Sequence, residues 1–197
     1  MLPLVPLEGA VLLPGGTLRV STREATGEDA ITAASRFGDE VVAAFAEGDS
    51  VHGVGVTATV DVLEEGSATI SGLARCKLLG LVPGEVALVE VELFPEDGGA
   101  SGRPTRPLAA LLLRRYGRLC RRLGWPAPAA AFRNDLSALT WQVAARLGVS
   151  AEERQGFLNV PDPVTRAKLL LLAVREVERR ERLLRPFAHL RTDAAVN

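Results

Sequence analysis

The alternating pattern of residues 54–62 is the feature that most constrains how this chain can fold. Small apolar residues stand at positions 54, 56, 58, 60 and 62, with Gly, Thr, Thr and Asp between them. Because successive side chains of a β-strand point to opposite faces, this pattern predicts a strand with one buried face. Turn residues occupy positions 64–67, and Ala68 and Ile70 begin a second apolar run. The segment therefore predicts an antiparallel hairpin.

More strands are predicted on both sides of this hairpin. Residues 2–7 read Leu-Pro-Leu-Val-Pro-Leu, and they predict an edge strand because proline cannot donate to a ladder. A short helix capped by Thr26 and ended by Gly38 follows. Several antiparallel strands with one helix favour a small barrel or a twisted sheet. Three other segments also predict strands: residues 17–21, 41–45 and 86–94.

The second half of the chain has the spacing and the capping residues of helices. Leucines at positions 108, 112, 119 and 123 line one face of a first helix. Asp135 caps the next helix, Ser150 and Glu153 form a capping box, and Asp162 with Pro163 opens the last and longest helix. The predicted fold class is therefore α+β. Its parts are a β-rich subdomain over residues 1–96, a Gly-rich linker over 97–104, an α-helical subdomain over 105–190 and a frayed tail over 191–197.

The two halves of the chain carry opposite charge. Residues 1–100 hold 5 Lys and Arg against 16 Asp and Glu, a net of −11, and the rest hold 18 against 8, a net of +10, which sum to −1. Such asymmetry predicts two regions with different surfaces. Much of the positive charge lies in the first helix predicted for the second half of the chain, which has no acidic residue. Its candidate polyanion face consists of Arg114, Arg115, Arg118, Arg121 and Arg122.

Two interpretations of this arginine face stay open. Nucleic acid binds helices of this charge, which would make the protein a nucleic-acid-binding regulator. Tyr116 is the only aromatic residue among the arginines, however, and the whole chain is slightly acidic. A solvated face, or a contact with the acidic half, is therefore the favoured interpretation, and a nucleic-acid partner is not expected.

The residue types that catalysis and metal binding require are scarce or badly spaced. No glycine-rich loop ends in Gly-Lys-Ser or Gly-Lys-Thr, so a phosphate cradle is not predicted. His52 and His189 are the only histidines, and neither has a partner that marks it as catalytic. Cys76 and Cys120 lack metal-ligand spacing and are expected to be buried thiols in a reducing compartment. We expect no enzymatic activity, no metal and no cofactor.

The chain is expected to be cytoplasmic, with no membrane partner. Its first residues lack the basic region of a secretory leader, and two prolines interrupt their apolar run. The longest apolar helical stretch, residues 167–174, contains Lys168 and is too short to cross a bilayer.

Several motifs in order resemble the N-terminal domain of Lon proteases. The opening strand Leu2–Leu7 and the run Val11-Leu12-Leu13-Pro14-Gly15 match the start of that family, with Leu13 in place of its usual phenylalanine. Gly53-Val54-Gly55-Val56-Thr57-Ala58 matches the family's next strand, and Gly72-Leu73-Ala74-Arg75 matches its Gly-x-x-Arg return strand. The helical part of the family opens its long helix with Asp-Pro, as residues 162–163 do. The resemblance covers roughly residues 2–185.

The resemblance implies a pseudo-barrel β subdomain followed by an α-helical bundle with a long last helix. It also implies a non-catalytic substrate-recognition module that binds unfolded or partner polypeptide, without the ATPase and Ser–Lys peptidase parts of a full Lon protease. Such a module would act as an adaptor in protein quality control, with a separate protease or chaperone, or as a homodimer through its last helix. The motif glycines and Arg75 are expected to hold turns and strands. Our candidate polypeptide contacts are apolar residues near loops: Leu13, Phe37, Trp125 and Phe132.

Overall fold

The structure, a computed structural model, describes residues 1–21, 25–64, 67–96, 105–127 and 134–185. Within these ranges there are seven strands and five α-helices; the first helix lies between the second and third strands, and the other four follow the last strand. The fold is α+β, as predicted. The strands are β1 (Leu2–Glu8), β2 (Thr17–Ser21), β3 (Glu40–Glu47), β4 (Ser50–Val51), β5 (Val54–Glu64), β6 (Ser67–Val82) and β7 (Leu88–Leu93).

Five of these strands close into a barrel. The ladder runs β1-β7-β6-β5-β3, and β1 also pairs with β3 in parallel, which joins the two ends of the sheet. The parallel pairing requires a crossover connection, and helix α1 (Ala25–Ala34) supplies it between β2 and β3. Closure removes the exposed edges of the sheet. The hairpin predicted from the alternating pattern is confirmed as β5 paired with β6.

The opening strand is not the edge strand that its prolines predicted. β1 pairs with β3 over Leu4–Glu8 and with β7 at Leu2 and Pro3. The prolines are tolerated because the β7 ladder stops at Pro3, so Pro6 faces only the β3 strand. Helix α1 begins at Ala25, one residue before the predicted cap Thr26.

The helices after the barrel form the predicted bundle. They are α2 (Thr105–Leu123), α3 (Leu136–Arg146), α4 (Ala151–Asn159) and α5 (Pro163–Leu184). The predicted caps are confirmed: Asp135 accepts from the amide of Ala138, Ser150 and Glu153 form a reciprocal capping box, and Asp162 accepts from the first-turn amides of α5. Each cap satisfies amides that a helix leaves without an internal partner.

Barrel and bundle share one hydrophobic core. A single cluster of buried side chains runs from Val5 and Val41 of the barrel to Leu112 of α2, Leu139 of α3 and Leu170 of α5. Residues 97–104, the predicted linker, and the tail from 186 onward lie outside the described residues. The division into two subdomains therefore stays a proposal, whereas the packing between the strands and the helices is continuous.

Both cysteines are buried and free, as expected from their spacing. Burial raises the pKa of the Cys76 thiol to about 11, and hydrogen bonds from the backbone of Gly55 and Thr57 offset only part of this effect. Cys76 is therefore an unreactive core thiol at neutral pH. No helix in the described part of the chain has the length and apolar content that a bilayer crossing needs.

Candidate functional site

A cleft of about 840 Å³ lies between the barrel and helix α3. This volume falls in the range of ligand-binding pockets. Its floor is part of β6, its two walls are the turn before β2 and the end of β7, and α3 covers it. The lining residues are Pro14, Gly15, Gly16, Thr17, Leu73, Ala74, Arg75, Leu93, Phe94, Pro95, Glu96, Asp135, Ser137, Ala138, Trp141, Gln142, Ala145 and Arg146.

The floor of the cleft exists because β2 and β7 pair with different parts of the same edge of β6. β2 pairs with β6 up to Ser71, and β7 takes over at Cys76. Between them, a β-bulge inserts Leu73 as an extra residue opposite Thr57 and Ala58 of β5. A bulge re-aims the side chain that it inserts. Leu73 is 50% exposed, and past the bulge Ala74 is exposed while Arg75 is buried.

The ladder around this bulge is held by a side chain. The Thr57 hydroxyl accepts from the amide of Ala74 at 3.3 Å and donates to the carbonyl of Ala74 at 3.2 Å. On the opposite edge, the amide of Gly15 donates to the carbonyl of Gly72, and the amide of Gly72 donates to the carbonyl of Gly16, both at 2.9 Å. The turn that forms one wall of the cleft is thus fixed to the floor.

The second wall and the roof add apolar surface. Leu93 ends β7 and is 64% exposed, and Phe94 follows it with its amide bonded to the carbonyl of Arg75. On α3, the cleft is lined by Ala138, Trp141 and Gln142, which lie on one face of the helix. The cleft therefore combines two exposed leucines and the edges of two aromatic side chains with polar residues from every side of its lining.

Arg166 of α5 is fully buried behind the cleft and fixes its roof. Its guanidinium lies 3.5 Å from the ring centroid of Trp141, and its Nε donates to the Thr140 hydroxyl at 2.8 Å. One terminal nitrogen donates to the carbonyl of Val160 at 2.9 Å, and the other pairs with the carboxylate of Glu96. A buried charge requires such partners.

Burial lowers the pKa of Arg166 to about 10, and the carboxylate of Glu96 offsets part of that shift. The guanidinium therefore stays protonated at neutral pH, and the ion pair with Glu96 joins the strand end to the bundle.

Arg75 of β6 provides a second link between the strands and the helices. Its guanidinium donates to the carbonyls of Leu158, Val160 and Pro161, at distances of 3.0–3.4 Å, and to Pro95 at 3.3 Å. It also lies 4.5 Å from the ring centroid of Phe94. The expectation that Arg75 holds structure is met, and it does so between the barrel and the bundle.

None of the three predicted polypeptide contacts that the structure describes, Leu13, Phe37 and Trp125, lines the cleft. Leu13 is 2% exposed, so its side chain belongs to the core and offers no surface to a polypeptide in this conformation. Phe37 is half-buried in a 3₁₀ turn after α1. Trp125 is half-buried against the core beside Gly148, which matches a ring folded down over the helices. Phe132 lies outside the described residues.

The predicted arginine face is largely solvated. Arg114, Arg118, Arg121 and Arg122 are exposed on α2, and no described carboxylate forms an ion pair with them. Arg115 differs, because it is half-buried and shares a small cavity with Arg175, Arg179 and Arg182 of α5. The structure therefore brings one arginine of the face together with three that sequence reasoning did not select.

Sequence reasoning also missed Leu73, Leu93 and Trp141. One signal was present, since Leu73 is an apolar residue in the outward phase that alternates with Ala68, Ile70 and Gly72.

His52 stacks on Phe45 with ring centroids 4.9 Å apart and lies 3.6 Å from a carboxylate oxygen of Glu47. Within the described ranges, no three His, Cys, Asp or Glu side chains cluster as metal ligands would.

Comparisons with known proteins agree with this architecture. Residues 1–176 match the family model of the ATP-dependent protease La (LON) substrate-binding domain. A Lon protease of Salinispora arenicola (strain CNS-205) is 34% identical over 185 residues, which cover 88% of this chain and 23% of that protein. The chain thus spans about a quarter of this curated relative's length.

Two solved structures share the fold. The N-terminal domain of the Mycobacterium avium complex Lon protease superposes with a TM-score of 0.73 at 22% identity, over 88% of this chain and 97% of that one. The Lon N-terminal domain protein from Xanthomonas campestris gives 0.65 at 23% identity, over 87% and 96%. At these identities the likeness concerns the fold alone.

Proposed function

This chain belongs to the family of the Lon substrate-binding domain, and from that membership we propose that it captures polypeptide segments in the cleft between the barrel and α3. The observation that carries the proposal is the pair of exposed leucines, Leu73 and Leu93, in a cleft of about 840 Å³ whose lining mixes apolar and polar residues. Exposed apolar residues grouped in a concavity are typical of binding sites. An unfolded polypeptide offers the apolar side chains that would fill it.

The proposed role is binding without chemical conversion. The family description names a substrate-binding domain, and the cleft lining holds carboxylates, amides and arginines but no histidine, cysteine or lysine. We propose that a separate protease or chaperone acts on the captured polypeptide, in the cytoplasm, with this chain as the adaptor. The relative of Salinispora arenicola, named a Lon protease, supports the link to proteolysis.

The first test is binding of a fluorescent unfolded polypeptide, reduced casein, at physiological salt. We expect saturable binding that the double variant Leu73→Ser and Leu93→Ser weakens at least tenfold. Each exposed leucine that a ligand buries contributes roughly 1–2 kcal/mol, and two of them account for such a loss. Fluorescence anisotropy measures the affinity, and circular dichroism checks that the variant is folded.

The matched control is the double variant Leu79→Ser and Leu81→Ser. These leucines are both 57% exposed on the same strand as Leu73, but they lie outside the cleft. We expect this control to bind casein like the parent chain. If the control loses binding while the cleft variant keeps it, the polypeptide site lies at the far end of β6 and not in the cleft.

A second proposed function is polyanion binding at the arginine-lined cavity of α2 and α5. It is favoured by the convergence of Arg115 with Arg175, Arg179 and Arg182 around a cavity of about 390 Å³. Four guanidinium groups at one place attract phosphates, and they outnumber the nearby carboxylates, which are Glu178 in the cavity lining and Glu176 at 3.7 Å from Arg179. Double-stranded DNA, used as a parallel probe in the casein experiment, tests this function. Binding to DNA alone would favour it over polypeptide capture.

A further inference from the structure

Helix α3 carries opposite charges at the two ends of the face that covers the cleft. Asp135 caps its first turn and Arg146 is its last residue, and both are exposed and line the cleft. Eleven residues separate them, close to three full helical turns, so the two side chains lie on the same face. The lining residues between them carry no charge; they are Ser137, Ala138, Trp141, Gln142 and Ala145.

The remaining charges of the cleft are already neutralised or bound. Glu96 is ion-paired with Arg166, and the Arg75 guanidinium donates to backbone carbonyls of the strand end and the bundle. Asp135 uses Oδ1 to accept from the amide of Ala138 at 2.9 Å, which leaves its second oxygen available to a ligand. No described carboxylate pairs with Arg146. The charges that a bound segment would meet are therefore one carboxylate and one guanidinium.

The spacing of these charges sets the length of the segment. Eleven residues of α-helix rise about 16 Å. Five residues of extended chain cover about the same distance, because each advances roughly 3.3 Å. An extended segment lying along α3 would thus place about five residues over the apolar part of the cleft, with its two ends near Asp135 and Arg146.

We propose that the cleft selects extended apolar segments of about five residues that carry a cationic residue at one end and an anionic residue at the other. This inference rests on the proposed function and specifies its substrate class. The cationic end lies at Asp135, the anionic end at Arg146, and the apolar centre contacts Leu73, Leu93 and Trp141. A segment with two like charges is disfavoured, because one of its ends meets a charge of its own sign.

The test uses five fluorescent six-residue peptides with blocked termini and the same four-residue centre of leucine, phenylalanine and alanine, so that the end residues of the extended peptide lie five positions, about 16 Å, apart. Their ends are lysine then glutamate, glutamate then lysine, two lysines, two glutamates, or two glutamines. We expect at least one of the oppositely charged peptides to bind about fivefold tighter than the glutamine peptide. The like-charged peptides should bind no tighter than the glutamine peptide. At 0.5 M salt the preference should shrink, since both charges are solvent-exposed.

Two variants assign the preference to its residues. Asp135→Asn removes the charge but keeps the helix cap, because asparagine caps as well as aspartate. Arg146→Gln removes the other charge. In each variant the advantage of the oppositely charged peptide should fall to about twofold. The controls Asp49→Asn and Arg180→Gln change the net charge equally at exposed positions away from the cleft, and they should keep the fivefold preference.

The outcomes separate this inference from the proposed function. If all five peptides bind with equal affinity, or if both cleft variants keep the full preference, the charge selection is wrong while polypeptide capture stands. If none of the peptides binds, including the glutamine peptide, both the capture and the charge selection are wrong. A preference that follows Asp135 and Arg146 supports both.

Discussion

Replacing Arg166 with methionine is expected to reduce the free energy of unfolding by about 3 kcal/mol, because breaking a buried ion pair typically costs 3–5 kcal/mol. Arg166 is 0% exposed and bonds to Thr140, Val160 and Glu96. Methionine fills much of the space but satisfies none of these groups, so a carbonyl and a carboxylate lose their partner. Urea unfolding, followed by circular dichroism, measures the loss.

The matched control is Arg180→Met, which lies in the same helix at an exposed position. We expect it to change the free energy of unfolding by less than about 0.5 kcal/mol, as surface substitutions usually do. The melting temperature of the Arg166 variant should fall by roughly 6–12 °C, given the usual entropy of unfolding of a chain this long. If the two variants unfold at the same urea concentration, Arg166 does not join barrel and bundle in the way described.

Replacing Arg166 should weaken polypeptide binding as well as stability. Its guanidinium stacks on Trp141, which covers the cleft, and its partner Glu96 lies at the cleft wall. The Arg166 variant is therefore expected to bind reduced casein more weakly even at temperatures where it is folded. Arg166 acts there through Trp141 and Glu96 and not by touching the ligand.

Replacing Gly72 with alanine is the second substitution with a large expected effect, a loss of about 3 kcal/mol. A Cβ at this position would lie 2.5 Å from the carbonyl oxygen of Leu13 and 3.2 Å from side-chain atoms of Leu12 and Val56. The oxygen belongs to backbone, so the turn that holds it must move. That movement weakens the two hydrogen bonds between Gly72 and the turn residues Gly15 and Gly16, and overpacking alone costs about 1–3 kcal/mol.

The control for this substitution lies on the same strand. Gly80→Ala adds a Cβ that meets nothing within 4 Å, and we expect a change within about 1 kcal/mol of zero, with stabilisation favoured by the loss of unfolded-state freedom. Thermal unfolding of both variants compares their melting temperatures. Equal melting temperatures would mean that the turn before β2 is not packed on Gly72.

The strands and helix caps of this protein are readable from the sequence because they depend on neighbours along the chain. The alternation of residues 54–62 identified β5, and the capping groups Asp135, Ser150 and Asp162 marked three helix starts. Each of these signals acts over two to four residues. The match of ordered motifs to the Lon N-terminal family extended this local information to the barrel and the bundle.

The cleft could not be predicted from the sequence in the same way. Leu73 is in the outward phase of the alternation, but the ladder slips by one residue between Thr57 and Ala58, after which Ala74 is exposed and Arg75 is buried. Alternation alone cannot tell where a ladder slips. Leu13 was expected at a surface because it lies beside a turn, but the turn folds onto Gly72 and buries it. Arg166 would be read as a solvated residue of an amphipathic helix, although it lies on the buried face with Leu170 and Val174.

By itself, the sequence determined the α+β class, the alternating hairpin, the capped helices and the family. Only the tertiary structure decided that Arg75, Trp141 and Arg166, which are far apart along the chain, meet between barrel and bundle. It also places the cleft, which we propose as the polypeptide site, beside these three residues and away from Phe37 and Trp125. The physical reason is that local periodicity sets which face of an element is apolar, whereas burial of a charge or exposure of a leucine depends on what packs against that face.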